Sequence, residues 1–207
     1  MKESSQVKII DVTHRDEYEN YLYRCLAPMP FRKYKYRREY LEKAVPKGLH
    51  KKLLILEGQV VGTIEYVPAE SSGYPIAGRK IIVMNCVWVL RKAKKRNFGR
   101  LLLQDMVKSA KGASGFATIA LEEHWSPWFR KDQIERLGFK SIDSIEVTHK
   151  AKHKDQAFKI HLMWMPSTET AKPPSWNRQK ILEGETFCMA HTLYRPQSWK
   201  GKILKAK

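Results

Sequence analysis

Residues 80–103 read Lys80-Ile81-Ile82-Val83-Met84-Asn85-Cys86-Val87-Trp88-Val89-Leu90-Arg91-Lys92-Ala93-Lys94-Lys95-Arg96-Asn97-Phe98-Gly99-Arg100-Leu101-Leu102-Leu103. The run from Lys80 to Leu90 is the most strongly β-forming in the chain and is apolar on both faces, which predicts a central strand. A helix over 99–111 is predicted next, because Leu102, Leu103, Met106, Val107 and Ala110 recur as one apolar stripe and Gly112 stands near its end. Between strand and helix lies Arg91–Arg100, with six cations and no acid. A strand–loop–helix junction leaves unpaired backbone N–H groups at the helix N-terminus, and the helix dipole adds partial positive charge there. The junction is a candidate phosphate site that the cations would reinforce. Asn97 and Gly99 tolerate the tight backbone such a loop needs. Neither a GxxxxGK[ST] P-loop nor a GxGxxG fingerprint is present, and a solvated basic loop holding nothing is the plain alternative.

Upstream, Val7–Asp11 reads as a strand, and Tyr18, Tyr21, Leu22 and Cys25 have helical spacing within 15–26. Ala27-Pro28-Met29-Pro30 breaks that helix, and a second spans Glu39–Val45, stopped by Pro46 and Gly48. Leu53–Leu56 and Gln59–Val67 read as strands joined by a tight turn at Glu57-Gly58. Alternation puts Gly62, Ile64 and Tyr66 on one face and Val61, Thr63, Glu65 and Val67 on the other. Residues 68–78 form a loop. Downstream come a strand at Phe116–Leu121, a helix at Trp128–Leu137 stopped by Gly138, and strands at Lys140–Val147 and Phe158–Met165. The order β-α-α-β-β-β-α-β-α-β-β is mixed α/β, of the α+β kind. Residues 1–165 make one domain, and 166–207 a basic, partly ordered C-terminal extension. In that extension Pro173–Trp176 is an extended segment packing its Trp on the domain, Thr186–Leu193 is a further candidate strand, and Trp199–Lys207 is expected to fray.

The composition of the 207 residues, 43% hydrophobic and 29% charged, excludes a wholly disordered chain. No apolar run approaches the roughly 18 residues that span a bilayer, so no membrane partner is expected. Met1-Lys2-Glu3-Ser4-Ser5 lacks the apolar stretch of a signal peptide. Cys25, Cys86 and Cys188 are odd in number and far apart, which points to a reducing, cytoplasmic setting. The formal net charge is +18 and concentrates in residues 28–52, 91–100 and 166–207. A nucleotide cofactor, a nucleic acid or an acidic protein could supply the counter-charge.

From Leu53 to Phe139 the chain resembles the GNAT superfamily of acyl-CoA-dependent N-acyltransferases. Leu54-Ile55-Leu56-Glu57-Gly58-Gln59-Val60-Val61-Gly62-Thr63-Ile64-Glu65 is similar to the family's hairpin into its third strand. Val89, followed by Lys94-Lys95-Arg96-Asn97-Phe98-Gly99-Arg100-Leu101-Leu102, stands where the family has its Q/R-x-x-G-x-G/A pyrophosphate loop. Arg136-Leu137-Gly138-Phe139 matches the closing Gly-Phe, and the element order agrees over residues 5–165. There are three departures. Lys94 replaces Gln or Arg, Asn97 replaces the first glycine, and Ile134 replaces the tyrosine that often serves as general acid.

The resemblance implies a central mixed sheet with helices on both faces and a V-shaped splay between the fourth strand (80–90) and the fifth (116–121). It implies acetyl-CoA as co-substrate and no metal. Backbone groups of Val87, Trp88 and Val89 would pair with the pantetheine arm. Lys94, Lys95, Arg96, Asn97, Phe98, Gly99 and Arg100 would cradle the pyrophosphate, and a backbone N–H near Val87 would bind the oxyanion. A primary amine on a small molecule, peptide or protein would attack the thioester. Candidate bases are Glu122 and Glu65 first, His124 next, and Glu123 and Glu70. Cys86 reads as a buried thiol that direct transfer does not need. His149 and His153, and Cys188 and His191, lack the further ligands of a metal site.

The segment Phe31-Arg32-Lys33-Tyr34-Lys35-Tyr36-Arg37-Arg38-Glu39-Tyr40 interleaves aromatics with cations. It suits an anionic or aromatic acceptor, or nucleic acid through Arg32, Lys33, Arg37 and Arg38. Two alternatives to the enzyme stand beside it: a nucleic-acid-associated protein on a GNAT-like scaffold, and a non-catalytic CoA-binding sensor. Monomer and homodimer both remain open.

Overall fold

The structure, a computed structural model, describes residues 6–15, 17, 19–23, 26, 35–150, 153–183 and 203–207. Strand β1 (Val7–Asp11) precedes helices α1 (Glu19–Tyr23) and α2 (Lys35–Ala44). Strands β2 (His50–Leu56), β3 (Gln59–Pro68), β4 (Ile76–Ala77) and β5 (Ile81–Val89) follow. Helix α3 (Phe98–Ser109) leads into β6 (Gly115–Glu122), α4 (Lys131–Arg136), β7 (Lys140–His149) and β8 (Ala157–Pro166). The C-terminal part adds β9 (Ser175–Trp176), α5 (Arg178–Ile181) and β10 (Leu204–Ala206).

One sheet runs in the order β1-β2-β3-β5-β6-β8-β7-β10. Its neighbours are antiparallel except β5 and β6, which α3 joins as a parallel crossover at the centre. The β2–β3 hairpin closes through Glu57 and Gly58, both at positive φ (50° and 75°), the geometry that matches strand twist. A bulge follows: Leu54 faces Gly62 but Ile55 faces Val60, leaving Val61 extra. Val61 therefore packs with Ile64 and Tyr66 rather than on the face of Thr63, Glu65 and Val67, where strict alternation placed it.

Helices cover both faces. On one, Leu102, Leu103 and Met106 of α3 bury against Ile64 and Tyr66. A Cβ at Gly62 would stand 3.3 Å from Leu102 Cδ1 and 3.3 Å from the Trp88 carbonyl, so this close approach suits glycine. Lys52 Nζ bonds Asp105 and Ser109 of α3, each at 2.5 Å. Val107 is 38% exposed, so the stripe is narrower than its sequence suggests, and Phe98 supplies the further buried residue. On the other face Tyr40, Leu41 and Ala44 of α2 pack with Leu22, Leu49 and Val67.

Three local expectations change. Helix α2 starts at Lys35, four residues before the sequence reading. Helix α4 starts only at Lys131, because Trp128 and Phe129 stack at 4.3 Å and are buried in the turn before it. Of the end expected to fray, the last residues are ordered: Leu204 pairs with His149 and extends the sheet beyond β7, while 199–202 lie outside the described residues. As expected, Ser175–Trp176 is extended; it pairs with β4, and the Trp176 indole donates to Asp143 at 2.7 Å. Ala27–Pro30 and Thr186–Leu193 lie outside the described residues. No helix among the described residues is long and apolar enough to cross a membrane.

Candidate active site

Strands β5 and β6 pair only through Ile81–Gly115, Ile82–Phe116 and Val83–Ala117 and then part, although both continue for several residues. This is the expected splay between 80–90 and 116–121. Two features hold it open. Thr118 Oγ1 of β6 donates to the Met84 carbonyl at 2.7 Å where the strands diverge, so that buried acceptor is satisfied by a side chain and needs no backbone N–H from β6. Asn85 is then an extra residue in β5, since Glu65 faces Cys86 while Tyr66 faces Met84. The bulge is braced by a buried polar network. Asn85 Nδ2 donates to Tyr40 Oη (2.9 Å), Ser72 Oγ bonds Asn85 Oδ1 (3.0 Å), and the Tyr74 hydroxyl donates to the Asn85 carbonyl (2.6 Å).

Past the bulge, Val87, Trp88 and Val89 pair with Ile64, Thr63 and Gly62 of β3 and, among the described residues, face no strand on their other edge. Leu90 N–H donates to Val61 O at 2.8 Å. Because backbone groups alternate in direction along a strand, Val87 and Val89 turn their N–H and C=O into the splay. These are the groups an extended ligand would meet as a neighbouring strand does.

The chain then enters the basic loop. Lys95 and Asn97 lie in the left-handed region, with φ of 66° and 56°. Asn97 caps α3 in that conformation and makes no side-chain cap bond. A left-handed turn is readiest for glycine and, after it, for asparagine, so Asn97 closes the loop where the family pattern has glycine. The first backbone bond of α3 runs from Leu101 N to Asn97 O, which leaves the N–H groups of Phe98, Gly99 and Arg100 without helical partners. Lys94, Lys95 and Arg96 are exposed and form no ion pair among the described residues. Arg100 donates to the Arg136 carbonyl at 3.0 Å, tying α3 to α4. Phe98 is buried and anchors the turn.

A cleft of about 400 Å³ opens beside the end of β6 and the start of α4, and Glu122, Glu123, His124, Trp125 and Lys131 are among its lining residues. The loop residues 94–100 do not line it. Glu122 accepts from Lys131 Nζ at 2.8 Å and from His161 Nε2 at 3.1 Å. Lys131 chiefly, then His161, hold its carboxyl below the ordinary range. His161 is buried, which lowers its pKa, and its Nδ1 lies 2.8 Å from Ser141 Oγ. A carboxylate only accepts, so the neutral ring carries its proton on Nε2 and takes the Ser141 hydroxyl proton as a bond at Nδ1. Burial pushes His124 down to about 4, and its Nδ1 accepts the Ser126 N–H at 3.0 Å. Its ring lies 3.9 Å from that of Trp125.

Glu65 is elsewhere and differently held. It is buried, bonded by both terminal guanidinium nitrogens of Arg37, Nη1 at 3.3 Å, while Arg37 Nη2 also donates to Leu22 O at 2.9 Å. Arg37 is thus an internal ion-pair partner, not the solvent-facing cation its basic segment suggests. Arg38 pairs with Glu19 at 3.2 Å and stacks on Tyr23; residues 31–34 lie outside the described residues. Glu70 is exposed in a single turn, Ala69–Ser71. Cys86 is half-buried. Ile134 is buried, so α4 presents no hydroxyl at that position. Among the described residues no three His, Cys, Asp or Glu side chains converge as metal ligands.

The sequence reading missed Asn85, Thr118, Lys131 and His161. Asn85 and His161 carried a signal, since each is a polar residue inside an otherwise apolar strand. Lys131 carried none, because its pairing with Glu122 arises only when the loop folds back and Leu121 N bonds Phe129 O at 2.7 Å.

No family model matches the sequence, and no curated protein matches it. Solved structures do resemble the fold. A protein of Desulfovibrio desulfuricans described as an acetyltransferase of the GNAT family aligns over 78% of this chain and 99% of its own, with TM-score 0.55 and 16% identity. The ribosomal-protein-S18-alanine N-acetyltransferase of Escherichia coli aligns over 81% of this chain and all of its own, with TM-score 0.53 and 12% identity. A GNAT-family acetyltransferase of Streptococcus pneumoniae aligns over 78% and 99%, with TM-score 0.50 and 14% identity. The chain has the GNAT superfamily fold.

Proposed function

We propose that the chain is an N-acetyltransferase that moves an acetyl group directly from acetyl-CoA to a primary amine. The observation that carries this reading is the parting of β5 and β6 after three residue pairs, which leaves the Val87–Val89 edge open directly before the cationic turn into α3. The pantetheine amides suit that edge. The pyrophosphate suits the free N–H groups of Phe98, Gly99 and Arg100, with Lys94, Lys95 and Arg96 around them.

Bound there, acetyl-CoA supplies an acyl carbon activated as a thioester. The Val87 N–H points into the splay and is assigned to the carbonyl oxygen, where negative charge grows as the amine attacks. The new C–N bond forms, the C–S bond breaks, and the amine's proton must leave. Glu122 is assigned as the group that takes it, because its carboxylate is ionised, lines the cleft and is fixed from two sides by Lys131 and His161. Glu65 is assigned a structural role in joining α2 to the sheet. A thiol of pKa about 8.5 departs as thiolate near neutral pH, so transfer does not require the hydroxyl that Ile134 lacks.

Release of free thiol from acetyl-CoA, followed across small primary amines and lysine- or N-terminal-amine peptides, tests the reading. Turnover with at least one amine is expected. Glu122→Gln should lower it about 10²- to 10⁴-fold with acetyl-CoA affinity kept. No release with any amine, despite binding, would favour the non-catalytic sensor; full turnover by Glu122→Gln would remove Glu122 as base.

A further inference from the structure

We infer that the outer face of α3, continued onto the start of β5, is a docking track for the phosphodiester backbone of a nucleic acid. The argument starts from which way α3 turns its charges. Its buried side is Phe98, Leu102, Leu103 and Met106. The only acid in the helix, Asp105, is turned to Lys52. The exposed side carries Arg100, Gln104 and Lys108, one above another at four-residue spacing, and Lys111 follows just past the helix end.

The track does not stop there. Ser114, three residues after Lys111, donates its N–H to Lys80 O at 2.8 Å and its hydroxyl to Arg79 O at 2.8 Å. The exposed Arg79 and Lys80 are thereby tied through their backbone to the turn that follows Lys111. Lys94, Lys95 and Arg96 stand at the opposite end of the helix. None of Arg79, Lys80, Lys108 and Lys111 forms an ion pair among the described residues. At 1.5 Å per residue α3 alone is about 18 Å long, so the cations line a path of several phosphates.

A pyrophosphate at the α3 N-terminus would leave the four cations at the other end without an anion. They call for a second, longer polyanion. A lipid surface fits less well. Interfacial helices bury a broad apolar face, whereas this face shows only Leu101 and Val107, each 38% exposed, and no aromatic. The lack of aromatics also predicts recognition of backbone rather than bases. This inference does not depend on acetyl transfer.

The test is fluorescence anisotropy of the full chain with labelled single-stranded RNA and with duplex DNA, each of about 20 nucleotides, between about 50 and 200 mM salt. The comparison is the triple variant Arg79→Gln, Lys108→Gln, Lys111→Gln, with urea unfolding of the same protein reporting that it is folded. The wild type should bind either probe with steep salt dependence. The variant should bind at least about tenfold more weakly at the lowest salt. Its slope of log K against log salt should be shallower by about 2 to 3, with the unfolding midpoint unchanged. The inference is overturned if the wild type binds neither probe, or if the variant binds as well as the wild type. It is also overturned if phosphatidylserine vesicles capture the chain while both nucleic acids leave it free.

Discussion

Removing Arg37 should be among the most damaging single changes in this fold. Its guanidinium holds both oxygens of Glu65 on β3, and both side chains are 3% exposed. Arg37→Met leaves the carboxylate buried without that partner. Breaking a buried pair from one side costs about 3 to 5 kcal/mol, far more than a surface pair contributes. Arg37 Nη2 also serves the Leu22 carbonyl at 2.9 Å, so the single variant overstates the ion pair. A double-mutant cycle separates the two: Arg37→Met, Glu65→Gln, and both together. Urea unfolding at pH 7 should place each single variant about 3 kcal/mol or more below wild type, and the double well short of the sum. At about 2 to 4 °C per kcal/mol for a chain of this size, Arg37→Met should melt at least about 6 °C lower. A loss under 1 kcal/mol, or strict additivity, would refute the claim that Glu65 is a structural carboxylate.

Two further predictions bear on the site. Thr118→Val keeps the side-chain shape but strips the Met84 carbonyl of its donor, and should cost about 1 to 3 kcal/mol in thermal or urea unfolding. His124 is held neutral by burial, with a folded pKa of about 4 against an ordinary 6.5. The unfolded chain therefore binds a proton first, so the associated stability is full above about pH 6.5 and is lost as pH falls toward 4, by about 1 to 2 kcal/mol after solvent screening of the partly exposed ring. His124→Asn retains an acceptor for the Ser126 N–H, and should flatten that segment of a stability-against-pH curve measured by urea unfolding.

Most of the framework was legible because its signals are local. The Glu57-Gly58 turn, the apolar run at 80–90 and the stripe of α3 each report their own conformation. Asn97 was legible for the same reason, since its side chain tolerates a left-handed backbone that few others do. Long-range choices were not. Nothing near Val61 announces the bulge that moves it to the other face. Nothing in Glu65 or Arg37 says that residues 28 apart will pair, and an acid on a strand beside a site looks alike whether it is a base or a brace. The short α4 has the same cause: Trp128 and Phe129 fit a helical period, but stacking in the core holds them in a turn. The C-terminal strand β10 adds one edge to a sheet built from distant residues, and three residues carry too little pattern to declare that.

The claim on which the functional account rests is that the β5–β6 splay and the turn into α3 form an acyl-CoA site. Calorimetric titration with acetyl-CoA at low and moderate salt tests it most directly, repeated on the variant Lys94→Ala, Lys95→Ala, Arg96→Ala. The account predicts one-to-one binding in the micromolar range, weakened at least about tenfold in the variant, since a single charge-assisted hydrogen bond contributes about 1.5 to 3 kcal/mol. Absence of saturable binding by the wild type at either salt would contradict it.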